Sequence, residues 1–309
     1  MRSLRPFRFG TGGYQVTSRA ELLAIVRRME DWGYTIYITP DHFTNCLNVS
    51  VQLMAVAEMS SSLRIGSYVY ANDFRHPALL AREAAALDVL SNGRFELGLG
   101  AGYLEVDYST TSIPLDPPGV RVSRLIESVS LLKRLLAGET VTMTGKYYTV
   151  TELTNFPPVV QQPHPPFFIA GGSKRVLSLA GQEADIVGLL MRSRGGSLDF
   201  ADCSSPATMQ RIEWVREAAG ERFANLELNT LVFNVTITDH RQQVADELSR
   251  DLGFPADHIL DSVHFLIGTV DEIVEDIRMW RERFGISYIA VLQEYMEALG
   301  PVVARLAGQ

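Results

Sequence analysis

Short apolar runs alternating with amphipathic stretches set the limits on what this chain can fold into. The runs "FRFGTGG", "TIYITP", "LRIGSYVYA", "RFELGLGAG", "PFFIAGG", "ADIVGLL", "LNTLVFNVTI" and "ISYIAVLQ" follow one another along the sequence, with helix-patterned segments between them. Between the first two runs, Leu22, Ile25, Val26 and Met29 recur at helical spacing. Ser18 and Glu21 stand there as a capping box and Gly33 stands at the exit. A second such box, Thr269 with Glu272, opens the helical segment before the last run. Runs this continuously apolar suit strands buried on both faces, which means a parallel sheet covered by helices. Eight such units predict an α/β fold, a (β/α)8 TIM barrel forming one domain over residues 1–309, with right-handed crossovers.

Three segments break the rhythm. "GYLEVDYSTTSIPLDPPGV" is an insertion after strand four, "TVTMTGKYYTV" with its Pro-rich tail reads as a hairpin before strand five, and "RSRGGSLDFADCSSP" is an insertion after strand six. The first and third lie at the C-terminal ends of strands, the face on which a barrel builds its sites. "QQPHPP" reads as a loop entering a strand. A hydrophobic content of 46% and a charged content of 21% provide a large core on a globular chain. A net charge of −8 argues against nucleic-acid binding, so an anionic ligand has to be held locally. Cys46 and Cys203 have no metal-ligand spacing, which is expected of reduced thiols in a cytoplasmic protein. No apolar run reaches membrane-spanning length, and "MRSLRPFRFG" has no signal-like core.

Within this frame a few residues carry chemistry. Asp41 and His42 fall just past strand two on the functional face; there His42 can move a proton or Asp41 can fix its tautomer, or the two can be a turn cap and a packed side chain. Gly171, Gly172 and Ser173 run from strand five straight into a helix. That arrangement suits an anion on the helix N-terminus, with charge from Lys174 or Arg175, or else a tight turn that needs glycine for its dihedrals. Asn72 and Asp73 are the ligand-facing residues of "YANDFRHPA", and His76 simply precedes a helix opened by Pro77. His164, His240, His258 and His264 are scattered and read as surface or packing residues, and no metal site is indicated.

"PDHF", "FRHPALLAREAAALDVLSNGRFELGLGAGY", "PPFFIAGG" and "AGQEADIV" together resemble the bacterial luciferase-like family of flavin and deazaflavin oxidoreductases, in order and over nearly the whole chain. Within that family the chain looks most like the branch using coenzyme F420, an 8-hydroxy-5-deazaflavin, with FMN as the alternative cofactor. The resemblance implies a cis peptide between Tyr68 and Val69 behind the cofactor ring, with Asp41 and His42 at the ring and Asn72 reaching its pyrimidine edge or ribityl chain. Gly171, Gly172 and Ser173 would bind the phosphate, while Gly100, Ala101 and Gly102 keep the end of strand four small. Tyr103 stands where sugar-phosphate dehydrogenase relatives have a glutamate, which puts their substrate in doubt but leaves a phenol that can donate a proton. The implied reaction is hydride transfer between the deazaflavin C5 and an activated C=C or C=N of a small organic substrate, with His42 or Tyr103 handling the proton. The alternatives are an FMN-dependent monooxygenase using oxygen and a cofactor-binding barrel without turnover. A substrate pocket would draw on Tyr108, Met191, Arg192, Arg194 and Phe200, and a homodimer is expected by resemblance.

Overall fold

A computed structural model describes residues 5–309; the first four residues of the N-terminal stretch read for a leader lie outside the described residues. Eight parallel strands form the frame: Arg8–Thr11 (β1), Ile36–Thr39 (β2), Arg64–Ser67 (β3), Phe95–Gly100 (β4), Phe167–Gly171 (β5), Ile186–Leu189 (β6), Glu227–Val232 (β7) and Ile286–Val291 (β8). Each pairs with the next in sequence. The pairing of Arg8 with Tyr288 and of Gly10 with Ala290 closes the ring between β1 and β8. The expected TIM barrel is therefore the fold.

The sequence alternation becomes an inside and an outside. Ile36 and Ile38, Phe168 and Ala170, and Tyr288 and Ala290 point into the barrel and pack as one cluster. Their neighbours Tyr37, Ile169 and Ile289 point outward, into the larger layer that the helices cover. Helix α1 (Arg19–Trp32) buries Leu22, Ile25, Val26 and Met29, and ends at Gly33 with φ of 86°, a left-handed conformation that glycine adopts without cost. Ser18 caps α1 by accepting from the Glu21 amide, but the Glu21 carboxylate reaches the Thr17 amide, so the box closes one residue early. Other outer helices are α2 (Val49–Met59), α3 (Pro77–Leu90), α4 (Pro118–Leu136), α5 (Lys174–Glu183), α6 (Ser205–Ala219), α7 (Val270–Phe284) and α8 (Met296–Leu306), and the excursion between β7 and α7 adds Arg241–Leu252 and Ala256–Leu260. Thr269 and Glu272 form a reciprocal capping box at the start of α7.

One expected strand is two. β7 stops at Val232, and Asn234–Ile237 leaves the barrel to pair in parallel with Phe265–Gly268. A closed ring has no edge for the longer run, and the polar Asn234 and Thr236 interrupt its apolar pattern. The segment "FLIG" at Phe265–Gly268 did not read as a strand, because four apolar residues are too short to declare a period. The ribbon covers a separate apolar cluster that includes Met191, Cys203, Phe254 and Phe265.

The three insertions have structure of their own. The segment after β4 holds a helix, Glu105–Thr111, and the segment after β6 a small hairpin of Ser193–Arg194 with Ser197–Leu198. The hairpin before β5 pairs Thr140–Thr144 with Thr149–Thr154. No helix among the described residues is long and apolar enough to cross a membrane.

Candidate active site

The C-terminal ends of the strands surround a cavity of about 440 Å³, within the ~300–1,000 Å³ of ordinary small-molecule and cofactor sites. Eleven of the twelve residues that the resemblance places at the cofactor and the proton line it: Asp41, His42, Tyr68, Val69, Gly100, Ala101, Gly102, Tyr103, Gly171, Gly172 and Ser173. Asn72 does not, because its side chain is buried and donates to the Tyr148 hydroxyl at 3.0 Å. Asp73 is also turned aside, accepting from Arg124 at 2.7 Å and from the Tyr108 hydroxyl at 3.2 Å.

The floor is apolar. After β3 the peptide between Tyr68 and Val69 is cis, and the chain resumes pairing with β4 at Tyr70 and Ala71. Tyr68 stacks on Phe168 with ring centroids 5.0 Å apart and donates to Asn229 at 2.8 Å, and burial pushes its phenol well above the ordinary range. Val69 lies against the end of β4: a Cβ on Gly100 would meet its Cγ2 at 2.7 Å. A Cβ on Gly102 would come within 1.9 Å of the Tyr108 hydroxyl, which occupies that space.

At the mouth of β5, Gly171 and Gly172 do not adopt left-handed dihedrals. Close packing requires them: a Cβ at Gly171 would meet Val176 at 2.7 Å, and one at Gly172 would meet the Met191 carbonyl oxygen at 2.3 Å. Bare backbone thus leads into α5, where the first amides have no carbonyl one turn back to bond and Ser173 caps Val176 at 3.4 Å. Lys174 and Arg175, expected to add charge, turn away, Lys174 to Glu217 at 3.3 Å and Arg175 to the Gly119 carbonyl at 2.7 Å. The cations that line the cavity are Arg121 and Arg192. Arg121, unnoticed in the sequence, is buried on α4 and donates to the carbonyls of Asp116, Ala101 and Gly102. Arg192 binds Asp202 at 3.0 Å, a carboxylate that also takes the buried Arg211.

Opposite stands the pair from "TPDHF". Asp41 accepts from both nitrogens of Arg75, at 2.7 and 3.1 Å, and from the Ala71 amide at 3.1 Å. His42 Nδ1 lies 2.6 Å from Oδ2 of Asp107, whose Oδ1 accepts from the Phe43 amide at 3.0 Å. Asp107, also unnoticed, comes from the rim helix Glu105–Thr111 and is buried. The Tyr103 ring stands edge-on to His42, with centroids 6.2 Å apart. Burial, and then the nearby Asp107 and Tyr14, raise the Tyr103 phenol above its ordinary range, so it remains a proton donor at neutral pH. Of the five pocket residues named from the inserted loops, Tyr108, Met191 and Arg192 line the cavity. Phe200 packs on Phe233 instead, and Arg194 is exposed beside Asp199 at 3.6 Å.

The histidine set aside as packing, His264, is buried behind this wall, donating from Nδ1 to the Leu231 carbonyl at 2.8 Å. Burial pushes it down to about 4. Among the described residues no group of three or more His, Cys, Asp or Glu side chains is placed to hold a metal ion.

A family profile described as luciferase-like monooxygenase matches residues 2–260. The chain belongs to the luciferase-like monooxygenase family. One relative in this family's range is an F420-dependent glucose-6-phosphate dehydrogenase of Amycolatopsis mediterranei, 31% identical over 160 residues, or 52% of this chain and 47% of the relative. Another is the oxygenase component of a flavin-dependent trigonelline monooxygenase of Acinetobacter baylyi, 30% identical over 48% of this chain and 42% of the relative. The chain spans about half the length of the curated relatives it matches. The coenzyme F420-dependent tetrahydromethanopterin reductase of Methanopyrus kandleri superposes with a TM-score of 0.77 at 16% identity, covering 98% of this chain and all of that one, and so shares the luciferase-like fold.

Proposed function

We propose that the protein is a coenzyme F420-dependent oxidoreductase acting on a small organic substrate with an activated C=C or C=N. One observation carries this: a single cavity runs from the turn at Gly171, Gly172 and Ser173, over a floor of Ile38, Val69, Ala170 and Leu190, to His42 and Tyr103. A phosphorylated tricyclic ring fits those residues, because the helix N-terminus receives a phosphate, the floor receives a flat apolar face, and the far end handles a proton. A bound deazaflavin supplies a hydride at C5. The chain's own residues do the rest. The amides at the start of α5 hold the anion, Val69 and Ala170 support the ring, and Asp41 contributes from its clamp on Arg75. His42 presents Nε2, which has no hydrogen-bond partner among the described residues, and either it or the Tyr103 hydroxyl moves the proton that accompanies the hydride.

An FMN-dependent monooxygenase is the second reading, favoured by the similarity to the trigonelline enzyme's oxygenase component. Titration with oxidised F420 and with FMN, followed by fluorescence, separates the two. Binding of F420 and substrate-dependent oxidation of its reduced form are expected. Tight FMN binding without F420 binding overturns the proposal in favour of the monooxygenase. Binding without turnover across a broad substrate panel leaves a barrel that holds cofactor only. We further propose, from the family resemblance alone, a cytoplasmic homodimer.

A further inference from the structure

The contact between His42 and Asp107 joins two residues 65 positions apart, one on the segment after β2 and the other on the rim helix after β4. Asp107 is 2% exposed, and each of its oxygens is committed, Oδ2 to His42 Nδ1 at 2.6 Å and Oδ1 to the Phe43 amide at 3.0 Å. The same carboxylate therefore grips the histidine ring and the backbone immediately after it. A carboxylate only accepts, so Nδ1 must carry a proton, and in the neutral ring Nε2 must then be the lone-pair nitrogen. The His42 side chain retains 22% of its exposure and lines the cavity, so Nε2 is the nitrogen left for a ligand. The titratable groups around the pair are Asp41 and Cys46 on the segment after β2, Tyr103 after β4 and Tyr14 after β1. Cys46 meets only the His42 backbone and none of these groups is hydrogen-bonded to the His42 ring, so Asp107 alone dictates the tautomer.

We infer that Asp107 is a positioning residue that locks His42 as its Nδ1–H tautomer and so makes Nε2 the atom that takes up or delivers the proton at the cavity. Chemically, a proton from a substrate or from water bonds to Nε2 while the donor atom keeps the electron pair of the broken bond, giving an imidazolium whose charge Asp107 faces at Nδ1, and the reverse step returns it. This rests on the proposed function only for its effect on turnover, since the tautomer is a property of the protein without any cofactor.

The substitution Asp107→Asn separates orientation from shape. Its oxygen must face the Phe43 amide, which leaves the amide NH2 facing Nδ1. A donor there forces Nδ1 to accept and moves the ring proton to Nε2. The test is 15N NMR of the full chain labelled at histidine, with the His42 signals assigned by their loss in His42→Gln. The expected result is the Nδ1–H pattern in the native protein and the Nε2–H pattern in Asp107→Asn. Turnover should fall at least a hundredfold in the variant, with F420 or FMN dissociation constants changed less than threefold. An Nε2–H pattern in the native protein overturns the inference, and this measurement needs no variant to fold. An unchanged tautomer in Asp107→Asn also overturns it. A switched tautomer in a protein that binds neither F420 nor FMN sustains the positioning role and rejects the proposed function instead. A switched tautomer with cofactor bound and full turnover shows that His42 does not carry the proton, and overturns the inference in its catalytic part.

Discussion

The two ends of the barrel hold the same kinds of charged side chain and use them differently. At the N-terminal end, Arg8 from β1 binds Glu96 from β4 at 2.6 Å and Glu227 from β7 at 2.7 Å, while Arg64 from β3 binds the same Glu96 at 2.5 Å. The arginines are half-covered and the glutamates buried, and Arg8 also lies 4.8 Å from the Tyr288 ring centroid. Charge answers charge, leaving nothing for a ligand. At the C-terminal end the Asp41–Arg75 and Asp107–His42 pairs are just as close, but they border an open cavity and His42 keeps a nitrogen free. The lesson is that a close polar pair becomes a site only when one partner has a donor or acceptor left over.

The largest effect should come from breaking the closed end. Glu96→Ala leaves Arg8 and Arg64 without their shared carboxylate and should cost about 3–5 kcal/mol in urea unfolding, with cofactor affinity of the folded protein unchanged. A loss below about 1 kcal/mol would mean that this end behaves as a solvent-screened surface. Next comes His264, a titratable group at the upper end that is buried and does not line the cavity. Its folded value near 4 lies below the ordinary 6.5, so the unfolded chain takes the proton first as pH falls. Roughly 3 kcal/mol should therefore be lost progressively between about pH 6.5 and pH 4, and His264→Asn should flatten that part of the stability profile. Replacing His42 by Ala should lower turnover about a hundredfold while leaving the cofactor affinity of the folded protein nearly unchanged. An equal loss in affinity would make it a binding residue. The smallest effect expected is from Ser173→Asp, which should weaken FMN or F420 about tenfold by setting a carboxylate beside the phosphate. The same cofactors without their phosphates should bind as before, and if they weaken equally the anion lies elsewhere.

What could be read from the sequence follows from the range over which each signal acts. Periodicity within ten or fifteen residues fixed the eight strands, the buried face of α1 and the glycine exit at Gly33. The rule that barrels act at their C-terminal ends then brought His42, Tyr103 and Gly171 to one cavity. Asp107 could not be found this way, because its partner depends on how far the rim helix folds back over the end of β2. Lys174 and Arg175 were credited with charge that Arg121 and Arg192 bring to the cavity, since the direction of a long side chain depends on helix phase and rotamer. Asn72 failed for a similar reason: its turn after β3 points it at Tyr148.

The departure of Asn234–Ile237 from the barrel to pair with Phe265–Gly268 has a consequence for traffic. There the chain that leaves the cavity lining at Phe233 is held by a backbone ladder, which opens only by local unfolding. After β4 the rim is instead a seven-residue helix, Glu105–Thr111, fastened through side chains such as Asp107 and Tyr108. Side chains release one bond at a time. Exchange of a bound molecule should therefore run past the rim helix rather than past the ladder, and amide hydrogen exchange would show it as lower protection in Glu105–Thr111 than in Asn234–Ile237.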